Sequence, residues 1–389
     1  MLRTHRLLDY AAPSATAGEA MAPSTILPLV CARVHAEYAQ PSGCFGKGAE
    51  VSNRLSLLTI YASVEYRMPS ITSRWAVAIF TARETPSVLS ATVRAAIAAC
   101  AGRQATIDVL INGNHALAVN FAEVAKTIST DGCSLRIWSI AAPDKAHTWN
   151  EYVHRIWDTG GITFFIDGYA RVRPDALAAI EQRLADLPNA MAASGVPTSG
   201  RSARRMREIM LRTGGIHGNL YALKVGSMEM IRNADFRLPL GLYRNDGLLG
   251  AALTFRLDPA NHEWKRGSVV AVADATWDVD GISALNYKNI VGYFKRRLRQ
   301  AHGALENRAV REHMTIKRLP PQLLPATSQD MIVDWLQAQP AQARSLFLRE
   351  PLCLYAARQL RVKRNWSLTE TAPVLLAAYA AEELPSRVG

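Results

Sequence analysis

The chain has 389 residues, 49% of them hydrophobic and 20% charged, a balance that describes a folded globular chain and excludes a disordered one. Its formal net charge of +12 favours anionic partners such as nucleic acid, an acidic membrane face or phosphorylated substrates, although an arginine-rich genome explains the number equally well. No stretch reaches about 18 uninterrupted apolar residues, so no spanning helix is expected.

Cys31, Cys44, Cys100, Cys133 and Cys353 are scattered, odd in number and never spaced CxxC. That pattern argues against a disulfide framework and a structural zinc site, and it fits a reducing, cytoplasmic setting. Residues 1–70 mix Ala, Pro, Ser and Gly with little periodicity and read as a poorly ordered extension. The apolar run at 25–31 is too short and too far from the start for a signal peptide. Met68 opens a stretch that reads as the start of a strand-first domain, and a chain beginning there is expected to fold.

From Trp75 the pattern is regular. Residues 75–80 are an apolar run of strand length. Pro86 then opens a helix with Leu89, Val93, Ile97 and Cys100 at helical spacing. Residues 106–111 form a second strand, closed by Asn112-Gly113-Asn114, and residues 135–140 a third. Residues 145–157 read as one helix with Trp149, Val153 and Ile156 on a face. Residues 162–166 are apolar throughout, as suits a strand buried on both faces. Pro174 starts a helix burying Leu177, Ile180, Leu184 and Leu187.

Strands alternating with helices imply βαβ units, so the fold class is α/β, a Rossmann-type, mostly parallel mixed sheet flanked by helices. Ligands of such sheets sit outside the carboxyl ends of the strands. That rule selects residues 81–84, 112–114, 141–145 and 167–169.

After Gly195 the texture changes. Residues 201–212 hold five arginines and one acid. A glycine-rich approach at 214–219 leads into a strand ending at Lys224. A loop at 238–247 leads into a helix. Tyr287, Val291, Phe294, Leu298, Ala301 and Leu305 mark a long amphipathic helix with a basic outer face. Pro320-Pro321 suggests a boundary, which gives one domain at 71–315 and a small helical region at 320–389.

Three groups of residues carry chemistry. The apolar strand ending Ile166-Asp167-Gly168-Tyr169 delivers a carboxylate to the ligand edge, where it can bond a ribose, hold a divalent metal against a pyrophosphate, or simply cap a turn. Asp246, about 80 residues later, opens a helix and is either a general base or an N-cap. Lys145, the 201–212 arginines and Lys295, Arg296, Arg297 and Arg299 could stabilise a departing pyrophosphate; for most of them a solvated helix face is the simpler account.

Taken in order, these pieces resemble family 2 glycosyltransferases of the GT-A fold. The pieces are Thr81-Ala82-Arg83-Glu84, Asn112-Gly113-Asn114-His115, Lys145 with Asn150, Asp167-Gly168-Tyr169 followed by Pro174-Asp175-Ala176-Leu177, the segment from Gly218 to Lys224, Asn245-Asp246, and the 296–300 helix. The resemblance covers about 230 residues. It implies an inverting transfer from a nucleotide-sugar donor to a glycan, lipid-linked or other hydroxyl acceptor, with Asp246 as base. It implies that Asp167 meets the ribose or a metal and that Asn112 contacts the base, with Thr81 and Glu84 lining that pocket. Lys145 and Arg297 would face the pyrophosphate, and His217 and Gly218 the sugar or acceptor.

The sequence departs from the family at three places, each losing a negative charge: Tyr169 where Asp-x-Asp has its second acid, Asn112 in the second strand, and Asn245 before Asp246. A Mg²⁺ or Mn²⁺ ion at Asp167 would therefore lean on phosphate oxygens, or the arginines replace it, or the chain is an inactive scaffold that binds nucleotide. A sugar nucleotidyltransferase would need a glycine-rich loop after the first strand, which 81–86 lacks. The basic runs carry few aromatics, so no nucleic-acid partner is expected. The 288–299 helix could rest on an anionic membrane face as a peripheral contact, or be solvated.

Overall fold

The computed structural model describes residues 74–158, 160–198, 203–279, 287–360 and 362–380, with only the backbone described over 287–295. The 1–70 extension, Met68, Cys31, Cys44 and Arg201 lie outside the described residues.

The first half alternates as its sequence suggested. Strands β1 (Trp75–Thr81), β2 (Ala105–Asn112), β3 (Cys133–Ile140) and β4 (Thr163–Asp167) are linked through helices α1 (Pro86–Ala99), α2 (His115–Ala125) and α3 (Lys145–Glu151). A two-residue strand, β5 (Arg171–Val172), precedes α4 (Ala176–Asp186) and β6 (Ala192–Ser194). The second half holds α5 (Ala203–Thr213), β7 (Leu220–Leu223), α6 (Val225–Asn233), α7 (Asn245–Thr254), β8 (Val269–Ala271) and β9 (Trp277–Asp278). The chain then runs through α8 (Tyr287–Val310), α9 (Ser328–Ala338), α10 (Pro340–Arg349) and α11 (Pro351–Gln359) to β10 (Val374–Tyr379).

Eight strands form one mixed sheet in the order β10-β3-β2-β1-β4-β7-β6-β8, while β5 and β9 pair separately. Strands β3, β2, β1 and β4 are mutually parallel, and β7 runs antiparallel to β4. Each face of the sheet is covered. Val77, Ile79, Ile107, Val109, Phe164 and Ile166 face a core closed by α1, α2 and α4. Ala78, Phe80, Leu110, Phe165 and Tyr221 face a second core built with α3 and α6 to α11. Two buried faces explain why β1 reads as an unbroken apolar run from Trp75 to Phe80, without alternation.

Three elements differ from the sequence reading. Residues 115–125 form a helix that follows directly on the Asn112-Gly113-Asn114 turn, and Asn114 serves more than that turn. It is also the N-cap, its Oδ1 accepting from Leu117 N at 3.0 Å. The helix expected over 145–157 is α-helical only to Glu151 and continues as a wider π turn over Tyr152–Ile156, with Trp157 N bonded to Tyr152 O at 2.7 Å. Finally, the C-terminal region is helical over α9 to α11 but also contributes a strand, β10, which pairs antiparallel with β3 and extends the main sheet.

Mid-strand, β2 carries a buried carboxylate. Asp108 is 1% exposed and receives Arg136 Nε at 2.6 Å and Nη2 at 2.8 Å, together with Trp138 Nε1 at 2.8 Å. Burial pushes its carboxyl up, and the bidentate arginine opposes that. The opposed terms leave a charge-paired site in which both oxygens are satisfied.

Candidate functional site

The sheet order reverses at β1. The chain moves outward through β2 and β3, then returns to place β4 on the other side of β1. Beyond the carboxyl ends of β1 and β4 lies the switch point where ligands of such sheets bind. Phe80 pairs with Asp167 in register there, and Gly168 N donates to Phe80 O at 2.8 Å. A Cβ on Gly168 would sit 2.5 Å from Thr81 Cβ and 2.8 Å from its hydroxyl, so only glycine lets β4 turn this close to β1. Gly168→Ala is expected to cost about 1–3 kcal/mol through overpacking, read as a lower thermal midpoint with the fold retained.

Because β7 runs antiparallel to β4, its beginning lies at this edge. That brings His217, Gly218 and Asn219 beside Asp167. Lys145, the first residue of α3, donates through Nζ to Asp167 Oδ1. Tyr169 Oη donates to Asp167 Oδ2 at 3.1 Å. With the Asn219 amide turned so that its oxygen takes the Trp277 indole N–H at 2.8 Å, its nitrogen donates to Asp167 Oδ2 and to Tyr169 Oη, both at 3.1 Å. Burial of the hydroxyl, then the charge of Asp167, holds the Tyr169 phenol above its ordinary value, so it stays a proton donor although its ring is 42% exposed.

Asp246 comes from the other side of the site. It lies in the first turn of α7, and its Oδ1 accepts from Gly247 N at 3.0 Å. It is not the N-cap, a position held by Arg244 without a side-chain bond. Four residues on, and so on the same face of the helix, Gly250 packs against Ile216, with an added Cβ 3.8 Å from Ile216 Cγ1. That contact turns the Asp246 face toward residues 216–218. Glu306 of α8 is fully buried and fixes the approach to α7, accepting from Tyr243 N at 2.8 Å and Arg244 N at 3.0 Å.

His217 links the two acids electrostatically. Burial lowers its imidazole below the ordinary value, while Asp246 and then Asp167 pull it up and Lys145 pushes it down. Its Nδ1 accepts from Asn219 N at 3.2 Å, which leaves the neutral ring with its proton on Nε2. The ring lies against Trp277, with centroids 4.8 Å apart, and His217 N is held by Ser194 Oγ at 2.9 Å. An added Cβ on Gly218 would be 3.6 Å from Lys145 Nζ and 3.7 Å from Asp167 Oδ2, so this glycine leaves the ion pair uncovered.

The remaining expected residues divide. Glu84 Oε2 accepts from Thr81 Oγ1 at 2.5 Å and from Ala82 N and Arg83 N at 2.9 Å. Burial opposes the Glu84 charge, but those bonds outweigh it and hold the carboxyl below its ordinary value. Thr81 and Glu84 thus shape the loop after β1. Asn112 is buried, its amide joining Thr81 O at 2.8 Å to Asp144 N at 3.3 Å, so its polar atoms tie two edge loops together. Asn150 is also committed internally, to Leu238 N at 2.8 Å and Leu238 O at 2.9 Å. Arg297 is half-buried on α8, and among the described residues no hydrogen bond or ion pair joins it to the Asp167 group. Asn219, Ser194 and Trp277 belong to the site and were not selected from sequence. Asn219 had one signal, its place beside Gly218; Ser194 and Trp277 had none, because they reach the site only through the pairing of β6 with β7 and of β9 with β5.

The divalent ion that the resemblance implies meets a poor set of ligands. Both Asp167 oxygens already receive donors, one of them an ammonium, and position 169 supplies another donor where a second acid would ligate. Among the described residues no group of three His, Cys, Asp or Glu side chains could hold a metal. The residues present do not fit a metal at Asp167.

No family model matches the chain, and no curated protein matches it. Solved structures do. A mannosyltransferase from Pyrobaculum calidifontis, in complex with GDP-Man and Mn²⁺, is 18% identical over 75% of this chain and 86% of its own, with a TM-score of 0.44. Glucosyl-3-phosphoglycerate synthase from Mycobacterium tuberculosis, with Mn²⁺, UDP-glucose and phosphoglyceric acid, is 13% identical over 63% and 80%, with a TM-score of 0.39. TarS from S. aureus, with UDP-GlcNAc, is 11% identical over 74% and 80%, with a TM-score of 0.40. Likeness at this level does not carry a function across to the present chain. Among the described residues no helix is long and apolar enough to cross a membrane.

Proposed function

We propose that this chain is a glycosyltransferase that binds a sugar nucleotide at the Asp167 edge and passes the sugar, with inversion, to a hydroxyl of a glycan, lipid-linked or other acceptor. The observation that carries the reading is the meeting of Asp167, Lys145 and Asp246 around His217 at the switch point, from four separate stretches of chain. An anionic donor is favoured by the exposed Lys145 ammonium, and a developing negative charge on the leaving diphosphate would be stabilised there.

In this reaction the acceptor oxygen bonds to the anomeric carbon as the bond from that carbon to the diphosphate breaks. The electron pair leaves with the diphosphate, and the acceptor proton passes to the Asp246 carboxylate. His217 is the less suitable base, because Asn219 N–H occupies Nδ1 and the free Nε2 carries the proton. It serves better as a donor to the sugar or acceptor hydroxyls. Asp167 meets the ribose through the oxygen lone pairs its three donors leave open. Thr81, Glu84 and Asn112 set the shape of the base-side loop, Tyr169 orients Asp167, and Gly218 allows close approach. Arg297 is proposed only as an outer cation for the diphosphate.

The test is a transfer assay with UDP-, GDP- and dTDP-sugars, following nucleoside diphosphate release, with the product configuration read by NMR. Release with an inverted anomeric centre is expected. Retention would overturn the base assignment. Binding without release from any donor would favour the inactive scaffold, for which the three donors already on Asp167 are the observation in its favour.

A further inference from the structure

The ion pair at the strand mouth answers a question that the missing second acid raises. The diphosphate of a sugar nucleotide brings a negative charge on each of its phosphates to a site that, by the reading above, must bind it. One way to neutralise that charge is a divalent ion held by one or two carboxylates together with the phosphates. Here the position two residues after Asp167 that would supply the second ligand is Tyr169, and its hydroxyl points back at Asp167 as a donor. Asn219 adds a second donor to the same oxygen. Oδ1 holds the Lys145 ammonium.

Lys145 is itself suited to receive an anion. Its side chain is 41% exposed while Asp167 is 13% exposed, so the carboxylate lies beneath and the ammonium faces outward. One of its three N–H groups is spent on Asp167, and two remain. Gly218, which lies over both groups, has no Cβ to cover them. Asp246 acts on the same His217 ring as the pair, and Glu84 acts, with Asp167, on the Tyr169 hydroxyl. Asp246 lies on the acceptor side and would not be neutralised by Lys145.

We infer that the Lys145 ammonium, seated on Asp167, takes the place of a divalent cation and holds the donor diphosphate without metal. Asp167 then acts as the seat of the lysine rather than as a metal ligand, and Tyr169 and Asn219 position it by filling its other oxygen. The inference rests on the proposed nucleotide-sugar reading and specifies how that site neutralises its ligand.

The experiment is calorimetric titration of the full chain with UDP and GDP, each in excess EDTA and again with Mn²⁺ or Mg²⁺. At least one nucleoside diphosphate should bind in EDTA, with a Kd within about twofold of its value with metal. Lys145→Gln, which keeps length and hydrogen bonding but drops the charge, should weaken that binding by about 10-fold or more, the loss of a charge-assisted contact, and added Mn²⁺ should not restore it. Circular dichroism and the thermal midpoint confirm that the variant is folded, and the wild-type comparison stands without it. Binding that vanishes in EDTA and returns with Mn²⁺ overturns the lysine assignment while leaving the nucleotide site intact. Lys145→Gln binding as tightly as wild type also overturns it. Silence toward both nucleotides in every condition overturns the inference together with the reading beneath it.

Discussion

Replacing Asp246 by Asn is expected to lower kcat by about 10²–10⁴-fold, or roughly 3–5 kcal/mol of barrier, while leaving donor Kd within about twofold. The separation follows from where the residue sits. Asn matches Asp in shape, and its side-chain oxygen can still accept Gly247 N, as Asp246 Oδ1 does at 3.0 Å. The start of α7 should therefore survive, still pinned through Tyr243 and Arg244 to buried Glu306. What is lost is the capacity to take a proton. A subsidiary consequence follows at His217. Asp246 is the larger of the two charges that raise its imidazole, so the variant should hold His217 neutral to still lower pH, visible in its NMR titration. Nucleoside diphosphate release measured beside calorimetry checks the split between kcat and Kd. Normal turnover would move the base elsewhere.

The largest effect on stability is expected from Asp108→Ala. The carboxylate is 1% exposed and takes two bonds from Arg136 and one from the Trp138 indole. Removing it strands an arginine inside the second core, and breaking a buried pair from one side costs about 3–5 kcal/mol. The lower end applies here, because Arg136 is 21% exposed and keeps Asp158 at 3.1 Å. A loss of about 3 kcal/mol corresponds to a drop of roughly 6–12 °C in thermal midpoint for a domain of a few hundred residues. Asp108→Ala with Arg136→Met should recover much of that loss, since the stranded charge is gone. A single variant as stable as wild type would show that the pair contributes nothing beyond its own desolvation.

The parallel half of the sheet was legible because burial on both faces forces long apolar runs, and 75–80 and 162–166 could hardly be anything else. Asp167 was legible for the same reason, as the first acid after such a run. Lys145 was legible once the strands were counted, because it stands just past the third. The direction of β7 was not. A four-residue strand carries no mark of whether it pairs parallel or antiparallel, and the choice decides which end reaches the site. That choice is what brings Asn219 to Asp167 and His217 between the two acids. Tyr169 was read as a missing acid, and sequence could not show its hydroxyl turning back as a donor. Helix α2 was hidden because Asn114 suits a turn and a cap equally. Strand β10 was hidden because its partner, β3, lies more than 230 residues earlier in the chain. Asn112, chosen for the base, spends its amide on Thr81 and Asp144, a commitment visible only once two edge loops meet.

One measurement bears most directly on the claim that the β1–β4 switch point is a nucleotide-sugar site. The full chain and its Asp167→Ala variant are titrated calorimetrically with a panel of uridine, guanosine and thymidine diphosphate sugars. Saturable binding of at least one donor by the wild type, weakened by about 10-fold or more in Asp167→Ala with the fold intact, is the expected result. Equal binding by the two proteins, or none by the wild type across the whole panel, would contradict it.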